Sequence, residues 1–207
     1  MSAIQLGLTT LFSRFRNTSI LMMGDYFIDQ YMDLARAYSE TSLETGLEAY
    51  QVVDIRSQLG AAGNVASNLC ALRAKVKALT LCGEDANGYM MQKLMQEKNI
   101  STKGIVTDPG VFTPTYIKPM MIETDGRVHE LNRMDIKNRT PIPPGVEEEL
   151  SKQLGRMIPG TSAILVTDQV QEENCGVMTE LVREILKEVA KTVPGIPIWV
   201  DSRERGH

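Results

Sequence analysis

Histidine is scarce in this sequence, and cysteine is rare and widely spaced. His129 and His207 are the only histidines, so the sequence favours neither a histidine-based metal cluster nor a Ser/His/Asp triad. The cysteines Cys70, Cys82 and Cys175 are odd in number and lie in apolar surroundings, which favours reduced core thiols over a disulfide framework. The sequence therefore predicts no metal site.

Long apolar runs and clusters of positive charge are also missing. No apolar run reaches the roughly 18 residues that a membrane-spanning helix needs, and residues 1–16 lack the basic-then-apolar order of a signal peptide. The formal net charge is −4 and the basic residues are scattered, which is not typical of a surface for nucleic acid or anionic membranes. We therefore expect a cytoplasmic protein without nucleic-acid or membrane partners.

The phosphate-binding glycine motifs of two large enzyme classes are absent as well. The sequence contains neither Gly-x-x-x-x-Gly-Lys-Ser/Thr nor Gly-x-Gly-x-x-Gly. These absences disfavour a P-loop enzyme and a nucleotide-dependent α/β oxidoreductase, although the oxidoreductase is kept as a third hypothesis.

Apolar runs typical of buried strands alternate with helical patterns along the chain. This alternation predicts an α/β fold with a mostly parallel sheet and flanking helices. The predicted strands are 20–23, 76–81, 105–106, 163–166 and 196–200, and the predicted helices are 1–16, 65–72, 87–98, one after Gly145, and 174–191. Ile4, Leu8, Leu11, Phe12 and Phe15 form the apolar stripe that should hold the first helix against the sheet.

Two segments depart from this alternation. Residues 30–57 and 111–133 show alternating β-type patterns, and the second has the form of a hairpin with its turn at 124–127. They are expected to pair into a small β-sheet that covers a site as a lid and mediates contacts in a homodimer.

Two short stretches carry the candidate site. Asp25 and Asp29 follow the buried strand 20–23, in a stretch expected to be a turn, and a small-residue loop at Gly60–Gly63 leads into a helix. A carboxylate accepts hydrogen bonds from hydroxyl groups, and missing side chains let backbone donors come close. This combination suits a polyol such as a sugar.

An aspartate after a buried strand has another common role, which is to cap the next helix. Polar clusters follow four predicted strands and should lie along one sheet edge: Asp25 with Asp29, Glu84 with Asp85, Asp168, and Asp201. The cap is the favoured interpretation for Asp85 and Asp168, and it is the alternative to sugar binding for Asp29.

An ordered set of motifs resembles the N-terminal portion of the PfkB (ribokinase-like) carbohydrate kinases, and most of all their heptose-phosphate kinase branch. The resemblance runs from about Ile20 to the end of the chain. The motifs are Gly24-Asp25 to Asp29, Gly60-Ala61-Ala62-Gly63-Asn64-Val65-Ala66, Gly83-Glu84-Asp85 with Gly88, Pro114-Thr115, Arg133-Met134-Asp135 and Asp201-Ser202-Arg203.

The resemblance implies a ribokinase-like three-layer fold with a protruding β lid, here truncated at the C-terminus. Residues 1–18 would form an N-terminal helix ahead of this domain, which would span 19–207. Asp29, Gly60, Ala61 and Asn64 fall where the family contacts sugar hydroxyls, and Asp25 and Asp168 join them as candidate substrate-binding residues. Ala61 replaces a commoner glycine, and Arg73 stands where glycine often follows the helix.

The resemblance also implies an activity: transfer of the γ-phosphoryl group of ATP, with Mg²⁺, to a hydroxyl of a sugar or sugar phosphate. The Gly-Ala-Gly-Asp segment that supplies the family's catalytic base is missing, as are its Asn-x-x-Glu motif and nucleotide pocket. No catalytic or nucleotide-binding residue is therefore assigned, and the chain alone is expected to be inactive. A non-catalytic sugar-binding or interaction module is the alternative.

Overall fold

A computed structural model of the chain describes residues 3–204, in which helices and strands alternate. The helices are α1 (Ala3–Phe15), α2 (Ala62–Ala71), α3 (Ala86–Glu97), α4 (Pro144–Met157) and α5 (Glu180–Thr192). The strands are β1 (Ser19–Gly24), β2 (Tyr26–Ala35), β3 (Glu40–Thr41), β4 (Glu48–Ala49), β5 (Val52–Ala61), β6 (Lys75–Gly83), β7 (Ile100–Asp108), β8 (Thr115–Ile122), β9 (Val128–Glu130), β10 (Met134–Ile136), β11 (Ala163–Asp168) and β12 (Ile198–Ser202).

The central sheet is parallel throughout, in the order β12-β11-β1-β6-β7. Successive side chains of β1 point to opposite faces: Leu21 and Met23 enter one buried cluster, which α4 and α5 cover, and Met22 enters the other, with residues of α2 and α3. Helices therefore lie on both faces, and the predicted α/β fold class is confirmed.

A second sheet stands apart from the central one. Its strand order is β10-β8-β2-β5, with β9 paired to β8, and β2 is antiparallel to β5 but parallel to β8. Its strands come from both segments that the sequence singled out, but they extend beyond those limits, from Tyr26 to Ile136. We call it the lid sheet.

The predicted turn at Gly24–Asp29 is wrong, because β1 passes into β2 through Asp25 alone. Gly24 has a φ of 132°, and a Cβ there would lie 2.0 Å from the carbonyl oxygen of Thr167, so only glycine fits. Tyr26 and Ile28 are then fully buried in extended backbone. The lid sheet is thus a direct continuation of the central strand β1.

The predicted loop at Gly60–Gly63 is also wrong. Gly60 and Ala61 are the last residues of β5, and α2 begins at Ala62. A Cβ on Gly63 would lie 2.5 Å from Cβ of Leu59, so the small residue allows α2 to pack directly against the strand that precedes it. The connection is a tight strand-to-helix junction.

Two other elements differ in length from their predictions. β7 has nine residues rather than two. α5 begins at Glu180 instead of Asn174, because the Thr179 hydroxyl caps it by accepting a hydrogen bond from the Val182 N–H at 3.3 Å. Residues 174–179 form a loop, in which Asn174 has a φ of 56°.

The three cysteines and the apolar stripe of helix α1 were also predicted to belong to the core. Cys70, Cys82 and Cys175 form no disulfide, as predicted, and burial raises the pKa of the Cys82 thiol to about 11. Helix α1 forms, but Leu11 and Phe12 are about half exposed rather than packed on the sheet. The side chains of Ile4 and Leu8, and residue His207, lie outside the described part of the chain.

The edge strand β12 is the least covered strand of the central sheet. Trp199 is 68% exposed and Val200 is 55% exposed, although neighbouring strands are buried on both faces. None of the helices in residues 3–204 has the length and hydrophobicity needed to cross a bilayer.

Candidate functional site

A cleft lies between the carboxyl ends of the central strands and the lid sheet. Part of this cleft is open to solvent. Phe27, Tyr116 and Lys137 line it on the lid side, and Asp25 and the loop 169–177 line it on the other. This is the sheet edge at which open α/β folds bind their ligands.

One face of the lid sheet continues the cleft outward. Phe27 and Tyr116 meet edge to face on it, with ring centroids 5.2 Å apart. Because side chains alternate along a strand, Asp29 on β2 and Lys118 on β8 lie on this same face, about 7 Å further out. We call it the cleft face, and the opposite face of the lid sheet the outer face.

Asp29 is held in an ion pair on the cleft face. The Lys118 Nζ lies 2.7 Å from Asp29 Oδ1, and the two side chains are only 19% and 15% exposed. Burial lowers the pKa of the Lys118 ammonium, but hydrogen bonds to Asp29 and Tyr31 and the charge of Asp29 outweigh it, so the pKa lies above its usual value. Asp29 is in the middle of β2, so the helix-cap interpretation of Asp29 is wrong.

Gly60 leaves space beside this carboxylate. A Cβ on Gly60 would lie 2.9 Å from Asp29 Oδ2, closer than real Cβ contacts. Gly60 pairs in the lid sheet with Phe27, which lines the cleft, and so it lies next to both Phe27 and Asp29. The structure thus brings together Asp29 and Gly60, as the sequence predicted.

Ala61 and Asn64 lie at the junction that follows Gly60. Ala61 precedes α2 with φ 47° and ψ −121°, a conformation that side chains disfavour. Asn64 is exposed in the first turn of α2, where backbone N–H groups have no partner within the helix. The Ala62 N–H already donates to the Asp25 carbonyl oxygen at 3.1 Å, so the exposed Asn64 amide is the donor that this turn offers to a ligand.

Asp25 has a different environment from Asp29. It is 4% exposed, and its carboxylate accepts hydrogen bonds from three backbone N–H groups, those of Gln169 (2.8 Å), Val170 (3.1 Å) and Val177 (2.9 Å). Burial raises the pKa of Asp25 above its ordinary value, although these hydrogen bonds oppose the shift. Asp25 thus ties β1 to the loop that lines the cleft.

The other predicted acidic residues lie along the same edge, with different roles. Asp85 caps α3, as predicted, by accepting a hydrogen bond from the Gly88 N–H at 2.7 Å. Asp168 ends β11 and accepts from the Ser202 hydroxyl at 2.9 Å. No described helix begins at Asp168, so its predicted cap role is wrong.

The sequence interpretation did not assign Tyr116, Lys118 or Lys137 to the site. Arg133 covers the Tyr116 ring at 4.6 Å and pairs with Asp135 at 2.6 Å, and the Lys137 ammonium is 5.7 Å from the same ring. The alternation of Tyr116 and Lys118 with Ile117 was visible in the sequence and places both on one face. It did not reveal that this face meets Asp29.

The described residues offer no metal centre. Within 3–204, no three side chains of His, Cys, Asp or Glu are grouped closely enough to hold an ion. The charged groups of the cleft are therefore arranged as ion pairs and hydrogen bonds.

Comparison with known proteins gives HldE proteins among the sequence relatives. Over 199 residues the chain is 30% identical to the bifunctional protein HldE of Trichlorobacter lovleyi, and over 178 residues it is 32% identical to that of Wolinella succinogenes. These alignments cover 94% and 84% of the chain, but only 37% and 35% of the relatives. The chain thus spans little more than a third of the length of the curated relatives it matches. No family model matches it.

Solved structures with the same fold include sugar kinases. Phosphofructokinase-2 from Escherichia coli in complex with fructose-6-phosphate superposes with a TM-score of 0.59 at 16% identity, over 91% of this chain and 55% of that one. Ribokinase from Cryptococcus neoformans in complex with ADP gives a TM-score of 0.51 at 14% identity, over 91% and 50%.

The fold comparison and the sequence comparison lead to the same group of proteins. The chain has the ribokinase-like arrangement of a parallel central sheet and a β lid, over about half of the solved structures, and its sequence relatives are HldE proteins. In fold, therefore, this chain is ribokinase-like, and in sequence it is similar to HldE proteins over little more than a third of their length.

Proposed function

We propose that this chain is the sugar-binding portion of an ATP-dependent carbohydrate kinase, which transfers the γ-phosphoryl group of ATP to a sugar hydroxyl. The observation that carries the proposal is the Asp29 carboxylate, held beside Gly60 on the cleft face of the lid sheet, next to the cleft. A carboxylate is a strong acceptor for hydroxyl groups, and the similarity to HldE proteins and sugar kinases supports this choice of ligand.

The proposed contacts to the sugar come from four residues. Asp29 accepts from hydroxyl groups, Asn64 supplies an exposed amide, and Gly60 and Ala61 allow the sugar to approach the backbone. Asp25 and Asp168 support the site indirectly, because backbone N–H groups and the Ser202 hydroxyl already occupy their carboxylates.

Phosphoryl transfer depends on positioning the two substrates in line and on neutralising the charge of the phosphates. The positioning of the acceptor sugar is the part that this chain would supply. ATP would be the donor, since ribokinase from Cryptococcus neoformans was crystallised with ADP. Among residues 3–204, no three side chains of His, Cys, Asp or Glu are grouped so that they could hold an ion by themselves. No step is therefore assigned to the metal in this chain.

The proposed acceptor is a sugar or a sugar phosphate, and the heptose phosphates of the resembling branch are included. Ribose, fructose 6-phosphate and an aldoheptose 7-phosphate are the probes that represent this range. The domain division into residues 1–18 and 19–207 is part of the same proposal.

The proposal is tested by calorimetric titration of these probes into the 207-residue chain. Asp29→Asn should weaken binding about tenfold or more, since a charge-assisted hydrogen bond is lost. Asp33→Asn is the matched control, because Asp33 lies further out on the same strand and also pairs with a cation, Arg56, at 2.8 Å. Equal effects of the two changes, or no binding of any probe, would contradict the proposal.

A non-catalytic sugar-binding module is the second candidate. It is supported by the proposed sugar contacts, Asp29 beside Gly60 and the exposed Asn64, all of which lie within this chain. Sugar binding without turnover, even when a PfkB C-terminal portion is supplied, would favour the module over the kinase.

The outer face of the lid sheet is the proposed dimer interface. Ile55 and Met134 are about half exposed, and the strand register places both on this face, on the edge strands β5 and β10. Burial of such a patch against a second copy would remove apolar surface from water.

A further inference from the structure

The ammonium group of Lys118 is fixed by several contacts. Besides the 2.7 Å contact with Asp29 Oδ1, Nζ lies 3.3 Å from the Tyr31 hydroxyl and 4.9 Å from the centre of the Tyr31 ring. Lysine has a flexible stem, so three contacts that converge on one ammonium restrict it strongly. Lys118 therefore gives the Asp29 carboxylate a rigid partner.

Gly60 restricts the position of the same carboxylate from another direction. Because a Cβ on Gly60 would lie 2.9 Å from Oδ2, the present carboxylate position requires a glycine there. Lys118 contacts Oδ1, and the space left by Gly60 lies at Oδ2. The two carboxylate oxygens thus have different neighbours: Oδ1 contacts Lys118, and Oδ2 faces Gly60.

We propose that Lys118 is a positioning residue: it holds Asp29 through Oδ1, so that Oδ2, beside Gly60, accepts the hydrogen bond of a sugar hydroxyl. This inference rests on the proposed function for the identity of the ligand. The position of the carboxylate itself is a property of the ligand-free chain.

A direct role for Lys118 in binding an anionic sugar makes a different prediction. A lysine that binds a phosphate group matters for phosphorylated sugars alone, whereas a lysine that positions Asp29 matters equally for neutral and phosphorylated sugars. Lys118 already has a carboxylate at 2.7 Å, which favours the positioning role.

Crystal structures of three ligand-free variants test the positioning role. In Lys118→Met and in Gly60→Ala, the Asp29 carboxylate should leave its present position. Arg56→Met is the matched control, since Arg56 also stacks on Tyr31, at 5.4 Å, but pairs with Asp33 instead of Asp29. An unmoved Asp29 carboxylate in Lys118→Met would overturn the proposal.

Binding measurements test the consequence for the ligand. Lys118→Met should weaken the binding of ribose and of fructose 6-phosphate by similar factors, about tenfold each, and Arg56→Met should leave both unchanged. The double variant with Asp29→Asn should bind no more weakly than Asp29→Asn alone, because the two residues act as a unit.

A loss confined to fructose 6-phosphate, or additive losses in the double variant, would overturn the positioning role. Failure of both sugars to bind the unchanged chain would contradict the proposed function, and the crystal structures would still decide whether Lys118 positions Asp29.

Discussion

Ala61 and Arg73 flank helix α2, and both have backbone conformations that suit glycine. Ala61 has φ 47° and Arg73 has φ 71°. A side chain at positive φ brings Cβ close to the backbone, whereas glycine adopts these angles readily. The resemblance to PfkB kinases implied a glycine at both positions, and the positive φ angles are consistent with that expectation.

Replacement of Ala61 by glycine should stabilise the chain. Relief of the strained backbone should raise the free energy of unfolding by about 1 kcal/mol or more, as judged from the usual cost of such conformations. Urea-induced unfolding measures the difference. Ala66→Gly is the matched control: it lies within α2, and the same substitution there should destabilise by about 1 kcal/mol or more. A destabilised Ala61→Gly variant would show that the strain is not relieved.

At the scale of elements, Asp25 connects β1 to the loop 169–177. Asp25→Asn replaces one accepting oxygen with a donor that faces backbone N–H groups, so at least one buried hydrogen bond is lost. The free energy of unfolding should fall by about 1–3 kcal/mol. Hydrogen exchange should show faster exchange at Gln169, Val170 and Val177 than at amides of β6. A uniform change across the chain would contradict a local role.

Asp85 should behave differently from an ordinary helix cap. Asparagine normally caps about as well as aspartate. Here Oδ1 accepts from the Gly88 N–H at 2.7 Å and Oδ2 accepts from the Thr113 N–H at 2.9 Å. Asp85→Asn keeps only one accepting oxygen, so it should lower the free energy of unfolding by about 1–2 kcal/mol, measured by urea unfolding. No change in that free energy would show that the hydrogen bond from the Thr113 N–H contributes little.

The elements that the sequence predicted well are those with uninterrupted local patterns. The buried strands β1 and β11 follow from their apolar runs, and the β8 to β9 hairpin from its alternation and turn. The passage from β1 into β2 was missed because Gly24 and Asp25 are typical turn residues. Burial of Tyr26 and Ile28, a tertiary effect, overrides that preference.

The same distinction applies to the candidate site. Asp29 and Gly60 belong to short motifs, so they were found, and the structure places them side by side. The partners of Asp25 are backbone N–H groups 144 to 152 residues away, and such groups leave no mark in the side-chain pattern. The Lys118 partner of Asp29 depends on the parallel register of β2 and β8, which no local pattern specifies.

At the scale of the whole molecule, we propose that the chain forms a dimer through the outer face of the lid sheet. Ile55→Glu should convert a dimer to a monomer in sedimentation velocity, since a buried unpaired charge is costly. Val128→Glu is the control, because Val128 is equally exposed, 56% against 55% for Ile55, but lies on the cleft face. A dimer that survives Ile55→Glu would contradict the proposed interface.

The 207-residue chain by itself should have no sugar-kinase activity, because its sequence lacks the Gly-Ala-Gly-Asp segment that carries the family's catalytic base. A coupled assay of ADP release, with the three sugar probes and a PfkB kinase as positive control, measures this. Turnover that copurifies with the chain and disappears in Asp29→Asn would contradict the expectation.

The exposed edge strand β12 gives the molecule a built-in optical reporter. Trp199 is the single tryptophan of the sequence, and it is 68% exposed. Its fluorescence should therefore have the long-wavelength maximum of a hydrated indole and be quenched readily by iodide. A polypeptide that packs on the face of β12 that carries this ring would cover it, so a blue shift of one emission band would report its docking in real time.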